Sequence, residues 1–203
     1  MLKPAEIEYM LQDSGAKLVI VTPEHLENAQ TAKASHIVAA PDEFNQLLDK
    51  AEPAPLGKFD RDTPCLILYT SGSTGSPKGA VHLHDHLPET IERVARKVYE
   101  LGPDDRIFSS SRLFFAYGLG NSFSFPIGMG CSVILCSERP TPPLIADLFK
   151  RHKPTVFFAV PAVFRGLVEY ARQGNKLETG SIKFCSPTAS ATASPSRSAW
   201  AAR

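Results

Sequence analysis

The stretch Tyr69-Thr70-Ser71-Gly72-Ser73-Thr74-Gly75-Ser76-Pro77-Lys78-Gly79-Ala80 constrains this chain more than any other, because composition and flanks assign it one role. The apolar run Cys65-Leu66-Ile67-Leu68-Tyr69 before it has the length of a buried strand, and from Asp85 the apolar residues take up a helical period. The stretch is therefore expected to be a loop between a strand and a helix. Gly72, Gly75 and Gly79 let backbone amides approach a ligand closely, while Ser71, Ser73, Thr74, Ser76 and the Lys78 ammonium add donors around one concavity. Such a concavity suits an anion, above all a phosphate. A flexible Gly/Ser linker shares the composition but requires neither the preceding strand nor the Pro77-Lys78-Gly79 ending.

The common nucleotide loop is excluded. That motif places Gly, four residues, then Gly-Lys and a hydroxyl residue. Counted from Gly72, Pro77 stands where the second Gly belongs, and Gly79 follows Lys78.

Composition closes off other classes. Across 203 residues, 43% hydrophobic content supports a buried core, and 22 basic against 21 acidic residues leave a net charge of +1. Nothing in that balance points to a nucleic acid or a membrane surface. No apolar run reaches the length that crosses a bilayer, and the Met1-Leu2-Lys3-Pro4 start lacks the order of a signal peptide, so the cytoplasm is the expected compartment. Cys65, Cys131, Cys136 and Cys185 form no Cys-x-x-Cys pair and read as buried, reduced thiols in strands.

Strand and helix patterns alternate along the chain, which predicts an α/β fold with a mostly parallel sheet flanked by helices. Helices are expected from Pro4 to Ser14, from Thr22 to about Ala34, over Asp42–Ala51, from Asp85 to Leu101, from Thr141 through Phe149 and from Pro161 to Arg172. Strands are expected at Lys17–Val21, Ile37–Ala39, Arg106–Ser109, Cys131–Cys136 and Thr155–Val160. Pro53-Ala54-Pro55-Leu56-Gly57 reads as a linker. Leu87, Ile91, Val94, Ala95, Val98 and Leu101 form one apolar stripe on the fourth helix, with Asp85 as its N-cap. His82-Leu83-His84-Asp85-His86 is one residue too short for the His-x-His-x-Asp-His pattern of metallo-hydrolases, so these histidines read as solvated or capping residues, with no metal site.

The phosphate-loop sequence resembles, nearly residue for residue, the signature loop of the adenylate-forming (AMP-binding) enzymes, which include acyl-CoA and aryl-CoA synthetases, luciferases and peptide-synthetase adenylation domains. The resemblance implies that Thr70, Ser71, Gly72, Ser73, Thr74, Gly75 and Lys78 bind the phosphates of ATP, with Lys78 as the catalytic residue among them. It also implies ATP, magnesium and CoA as cofactors, a small carboxylic acid as substrate, and no nucleic-acid or membrane partner.

Arg112-Leu113-Phe114-Phe115-Ala116-Tyr117-Gly118-Leu119-Gly120-Asn121, taken alone, reads as a strand end followed by a packed helix. In the family the corresponding segment walls the acyl pocket, and Phe-Phe-Ala-Tyr-Gly-Leu-Gly-Asn is similar to the form found in benzoate-CoA ligase and its relatives. The resemblance makes Ala116, Tyr117 and Gly118 the substrate-pocket candidates, Tyr117 offering a ring and Ala116 leaving room for a planar acid. It covers residues 1–185, part of the family's large N-terminal domain. From Ser186 to Arg203 the chain turns to Ser, Ala, Thr, Pro and Arg, expected to be a disordered or out-of-frame tail.

The resemblance implies a fragment of an aromatic acid-CoA ligase, inactive as it stands, because the family's adenine, ribose and magnesium positions and its catalytic C-terminal Lys match no residue here. Two rivals stand beside that reading: a ligase for another acid, cinnamate-like or fatty, and a non-catalytic ATP-binding remnant.

Overall fold

A computed structural model describes residues 2–70 and 77–187. The chain divides into two units, Met1–His84 and Asp85–Arg203.

In the first unit, α1 (Pro4–Ser14) starts on a proline that needs no amide partner and stops at Gly15, whose φ of 66° lets its N–H return to the Leu11 carbonyl. β1 (Val19–Val21) pairs in parallel with β2 (Ile37–Ala39). The crossover between them is a 3₁₀ turn at Pro23–His25 followed by α2 (Leu26–Thr31). Ala29, Ala32 and Val38 are the buried apolar residues among the described residues of this unit. After α3 (Asp42–Lys50), residues 51–60 form no regular element, as the Pro-rich linker implies.

β3 (Pro64–Thr70) does not lead through the loop into a helix. It pairs antiparallel with β4 (Lys78–Leu83), so the glycine-rich stretch joins two strands of a hairpin. Lys-Gly-Ala-Val-His-Leu carries no strand pattern of its own, and its extended form comes from pairing with β3. β3 is also half-buried to exposed along its length rather than buried, with Ile67 38% exposed.

In the second unit α4 (His86–Thr90) continues as a wide π turn over Ile91–Arg96. Asp85 holds the N-cap position and its carbonyl accepts the Glu89 N–H at 3.1 Å. The wide turn breaks the expected stripe. Tyr99 N–H reaches back to the Val94 carbonyl at 2.9 Å, one residue further than in an α-helix, which rotates Val98 outward to 49% exposure and Tyr99 into the core.

β5 (Arg106–Ser109) runs into α5 (Ala116–Leu119), a second π segment at Gly120–Ser124 and α6 (Phe125–Met129). β6 (Ser132–Ile134), α7 (Pro142–His152), β7 (Val156–Ala159), α8 (Pro161–Arg172) and β8 (Phe184–Pro187) follow. Among the described residues β5 to β8 form a four-stranded parallel sheet in the order β6-β5-β7-β8.

Alternation along the strands builds a core on each face. Phe108, Phe157 and Ala159 pack with Ile145, Leu148, Phe149 and Leu167 of α7 and α8. Ile107, Val156 and Phe158 face the other way, onto Ala95, Phe125 and Met129. β7 is buried throughout, which explains why its sequence reads as continuous apolar residues. α7 extends three residues past Phe149, since Lys150, Arg151 and His152 suit the negative end of a helix dipole.

β8 includes Ser186 and Pro187, paired with Phe158 and Ala159, so the ordered sheet runs past Cys185. Main-chain pairing to a buried strand asks nothing of the side chains. The remainder of the expected tail, residues 188–203, lies outside the described residues. All four cysteines are free and half-buried rather than buried. Burial pushes the Cys185 thiol up to about 11.

Candidate active site

The hairpin arms hold the loop by its ends. Thr70 and Lys78 face each other as the last cross-strand pair before it, and both side chains are exposed. Ser71, Gly72, Ser73, Thr74 and Gly75 lie outside the described residues. One register step back, Tyr69 stands opposite Gly79. Gly79 has no room for a side chain, because a Cβ there would come within 2.9 Å of an Ile67 methyl and 3.2 Å of the Tyr69 ring. The Tyr69 ring therefore lies against the glycine.

The Tyr69 hydroxyl donates to Asp13 Oδ2 at 2.7 Å and lies 3.3 Å from the Met10 carbonyl, both on α1. Its hydrogen bond to Asp13 is the main cause that raises the phenol above its ordinary pKa, keeping it a donor.

The aromatic segment belongs to the second unit and starts where β5 ends. In parallel α/β sheets, ligands bind outside the carboxyl ends of the strands. Phe115 N–H closes a turn onto the Arg112 carbonyl at 3.1 Å, and Ala116 opens α5 exposed to solvent. Phe114 and Phe115 are exposed as well, their ring centroids 4.4 Å apart. Gly118 is buried against the same turn, where a Cβ would stand 2.0 Å from the Arg112 carbonyl oxygen. Its role is thus close backbone approach.

Tyr117 is half-buried. Its hydroxyl donates to the Ser186 carbonyl of β8 at 2.7 Å, and its ring meets Phe158 edge-on at 6.1 Å. Burial drives its phenol well above the ordinary range, so it is a neutral donor at any physiological pH. The packed-helix reading thus describes Gly118 and much of Tyr117, whereas Ala116 and the Phe114–Phe115 pair face solvent.

Sequence reasoning overlooked the Tyr69–Asp13 contact, which joins residues 56 positions apart, and the Tyr117–Ser186 contact, 69 positions apart. No local pattern announces either. Among the described residues, no group of three or more His, Cys, Asp or Glu could hold a metal ion, and no helix is long and apolar enough to cross a membrane.

The model of the AMP-binding enzyme family matches residues 1–203. The chain belongs to the AMP-binding enzyme family. It is 37% identical over 181 residues to a benzoate–CoA ligase of Thauera aromatica, covering 83% of this chain and 34% of that protein. Among solved structures, a benzoate CoA ligase from Burkholderia xenovorans LB400 superposes with a TM-score of 0.77 at 32% identity, over 91% of this chain and 38% of that one. The anthranilate CoA ligase AuaEII, solved in complex with anthranoyl-AMP, gives a TM-score of 0.80 at 29% identity over the same shares. The chain thus spans about a third of the length of the curated relatives it matches.

Proposed function

We propose that these residues form the ATP-phosphate loop and one wall of the acid pocket of an aromatic acid–CoA ligase. In that reaction a carboxylate oxygen attacks the α-phosphorus of ATP and displaces pyrophosphate. The CoA thiolate then attacks the acyl-adenylate carbonyl, forming the thioester and releasing AMP. The observation that carries the reading is the hairpin, whose arms close at Thr70 and Lys78 on either side of the Ser-Gly-Ser-Thr-Gly sequence.

In this reading Lys78, the hydroxyls of Thr70, Ser71, Ser73 and Thr74, and the amides of Gly72 and Gly75 bind the phosphates and offset the charge that develops on the leaving pyrophosphate. Magnesium would travel with ATP as the counter-ion of its phosphates, and its protein ligands are assigned to none of the described residues. Ala116 and Tyr117 would border a planar acid, with Gly118 holding the turn that presents them. Support for an aromatic acid comes from the exposed Phe114–Phe115–Ala116 surface at the end of β5 and from the benzoate and anthranilate names of the relatives.

Calorimetric titration of the chain with magnesium and ATP, followed by benzoate, a cinnamate and a medium-chain fatty acid, tests the reading. ATP binding together with a preference for benzoate is the expected result. Loss of the first would overturn the phosphate-loop assignment, and preference for the fatty acid would overturn the aromatic one.

A further inference from the structure

Tyr69 is the last residue of β3 but one, so whatever fixes it also fixes the chain entering the loop. Three segments meet on its side chain. The ring lies against Gly79, the residue directly after Lys78. Its hydroxyl donates to Asp13 Oδ2 at 2.7 Å and approaches the Met10 carbonyl at 3.3 Å. Met10 and Asp13 sit in the last turn of α1, where the Ser14 hydroxyl also donates to the Met10 carbonyl at 2.6 Å and Gly15 ends the helix.

A phenylalanine at 69 would lie against Gly79 equally well, so packing does not account for the hydroxyl. Nor does global stability, because Asp13 is exposed and a hydrogen bond between exposed groups adds little. What the hydroxyl adds is a fixed direction: it ties the end of β3 to the end of α1, one residue from Thr70.

We propose that Tyr69 and Asp13 form a latch that sets the mouth of the phosphate loop, making Tyr69 a positioning residue for ATP. The proposal rests on the reading of Thr70–Lys78 as the ATP-phosphate loop. With the latch closed, Thr70 and Lys78 are held as a cross-strand pair before the nucleotide arrives, and less ordering of these two residues is left for binding to supply.

The test compares Tyr69→Phe, Asp13→Ala, the double variant and Lys78→Ala in the 203-residue chain, each titrated with magnesium and ATP and each melted without ligand. Tyr69→Phe should raise the Kd for ATP roughly three- to tenfold, the scale of one hydrogen bond, and leave the Tm within about 2 °C. Asp13→Ala should do the same, and the double variant should be no weaker than either single one, because both remove the same contact. An unchanged Kd in Tyr69→Phe beside a weakened Lys78→Ala overturns the latch and leaves the loop reading standing. Additive losses, or losses that track a falling Tm, also overturn it. An unweakened Lys78→Ala, or no ATP binding by the unsubstituted chain, overturns the loop reading and the latch with it.

Discussion

Asp105→Asn should destabilise the second unit by about 2 to 3 kcal/mol at neutral pH, because one buried carboxylate ties together the starts of three neighbouring strands. The side chain is 5% exposed. Its Oδ1 accepts from Lys183 Nζ at 2.8 Å and from the Thr155 hydroxyl at 2.7 Å, and its Oδ2 accepts the Gly102 N–H at 3.0 Å. The Thr155 hydroxyl is held in turn by the Arg106 N–H at 2.9 Å, and the Asp105 carbonyl accepts Ser132 N–H at the head of β6. An amide at 105 keeps the volume but turns one acceptor into a donor, leaving Thr155 or Gly102 without a partner at about 1 to 3 kcal/mol. Lys183 adds less than a buried partner would, since its side chain is 59% exposed and water screens the pair.

The pH dependence gives the sharper test. Burial by itself would raise the Asp105 carboxyl, but hydrogen bonds from Lys183, Thr155 and Gly102 outweigh it and hold the group below the usual carboxylate range. A group depressed in the folded state stabilises fully above its unfolded value, about 3.9, and loses that contribution as pH falls through the folded value. The gap in unfolding free energy between the parent and Asp105→Asn, measured by urea titration, should therefore be flat above about pH 5 and close in stronger acid. Lys183 is raised by the same contact, so its share is complete below the ordinary lysine range and fades only as pH rises through its own raised value. A gap that persists unchanged at pH 2.5, or one below about 1 kcal/mol at pH 7, would show that the carboxylate charge does not hold these strands.

Lys78→Ala should weaken ATP binding by about 10- to 100-fold in calorimetric titration, the scale of one charge-assisted hydrogen bond to a phosphate. Ala116→Leu fills the exposed start of α5, so binding of benzoate should fall more than binding of a small aliphatic acid; equal losses would assign the residue to packing. Lys153 closes α7 with a left-handed φ of 46°, so Lys153→Gly should raise the Tm by roughly 1 to 3 °C in a thermal melt.

Much of the sheet is legible in the sequence. β2, β5 and α8 coincide with their expected bounds, because short β-branched and aromatic runs and a proline at the first helical position are local signals. The misses share a cause as well. β4 is a strand only because β3 lies beside it, and Val98 gives way to Tyr99 only because a wide turn shifts the helical register. Asp105 and Lys183 meet across 78 positions, and Tyr69 and Asp13 across 56. These contacts are products of the fold, and spacing along the chain carries no trace of them.

The two ends of the parallel sheet carry different duties, and that difference decides which variants report on chemistry. Amino ends of β5, β7 and β8 converge on Asp105, Thr155 and Lys183, where substitution acts on stability. The carboxyl end of β5 delivers Ser110, Ser111 and the turn that presents Ala116 and Tyr117, on the side where sheets of this type bind ligands. Tyr117 nevertheless belongs to both duties. Its ring packs on Phe158 and its hydroxyl holds β8 through the Ser186 carbonyl, so any substitution there disturbs β8 along with the proposed pocket wall. Ala116 is exposed and its side chain can donate or accept no hydrogen bond. A change of acid preference caused at Ala116 is therefore interpretable as pocket shape, whereas the same change at Tyr117 would have to be separated from loss of the strand it anchors.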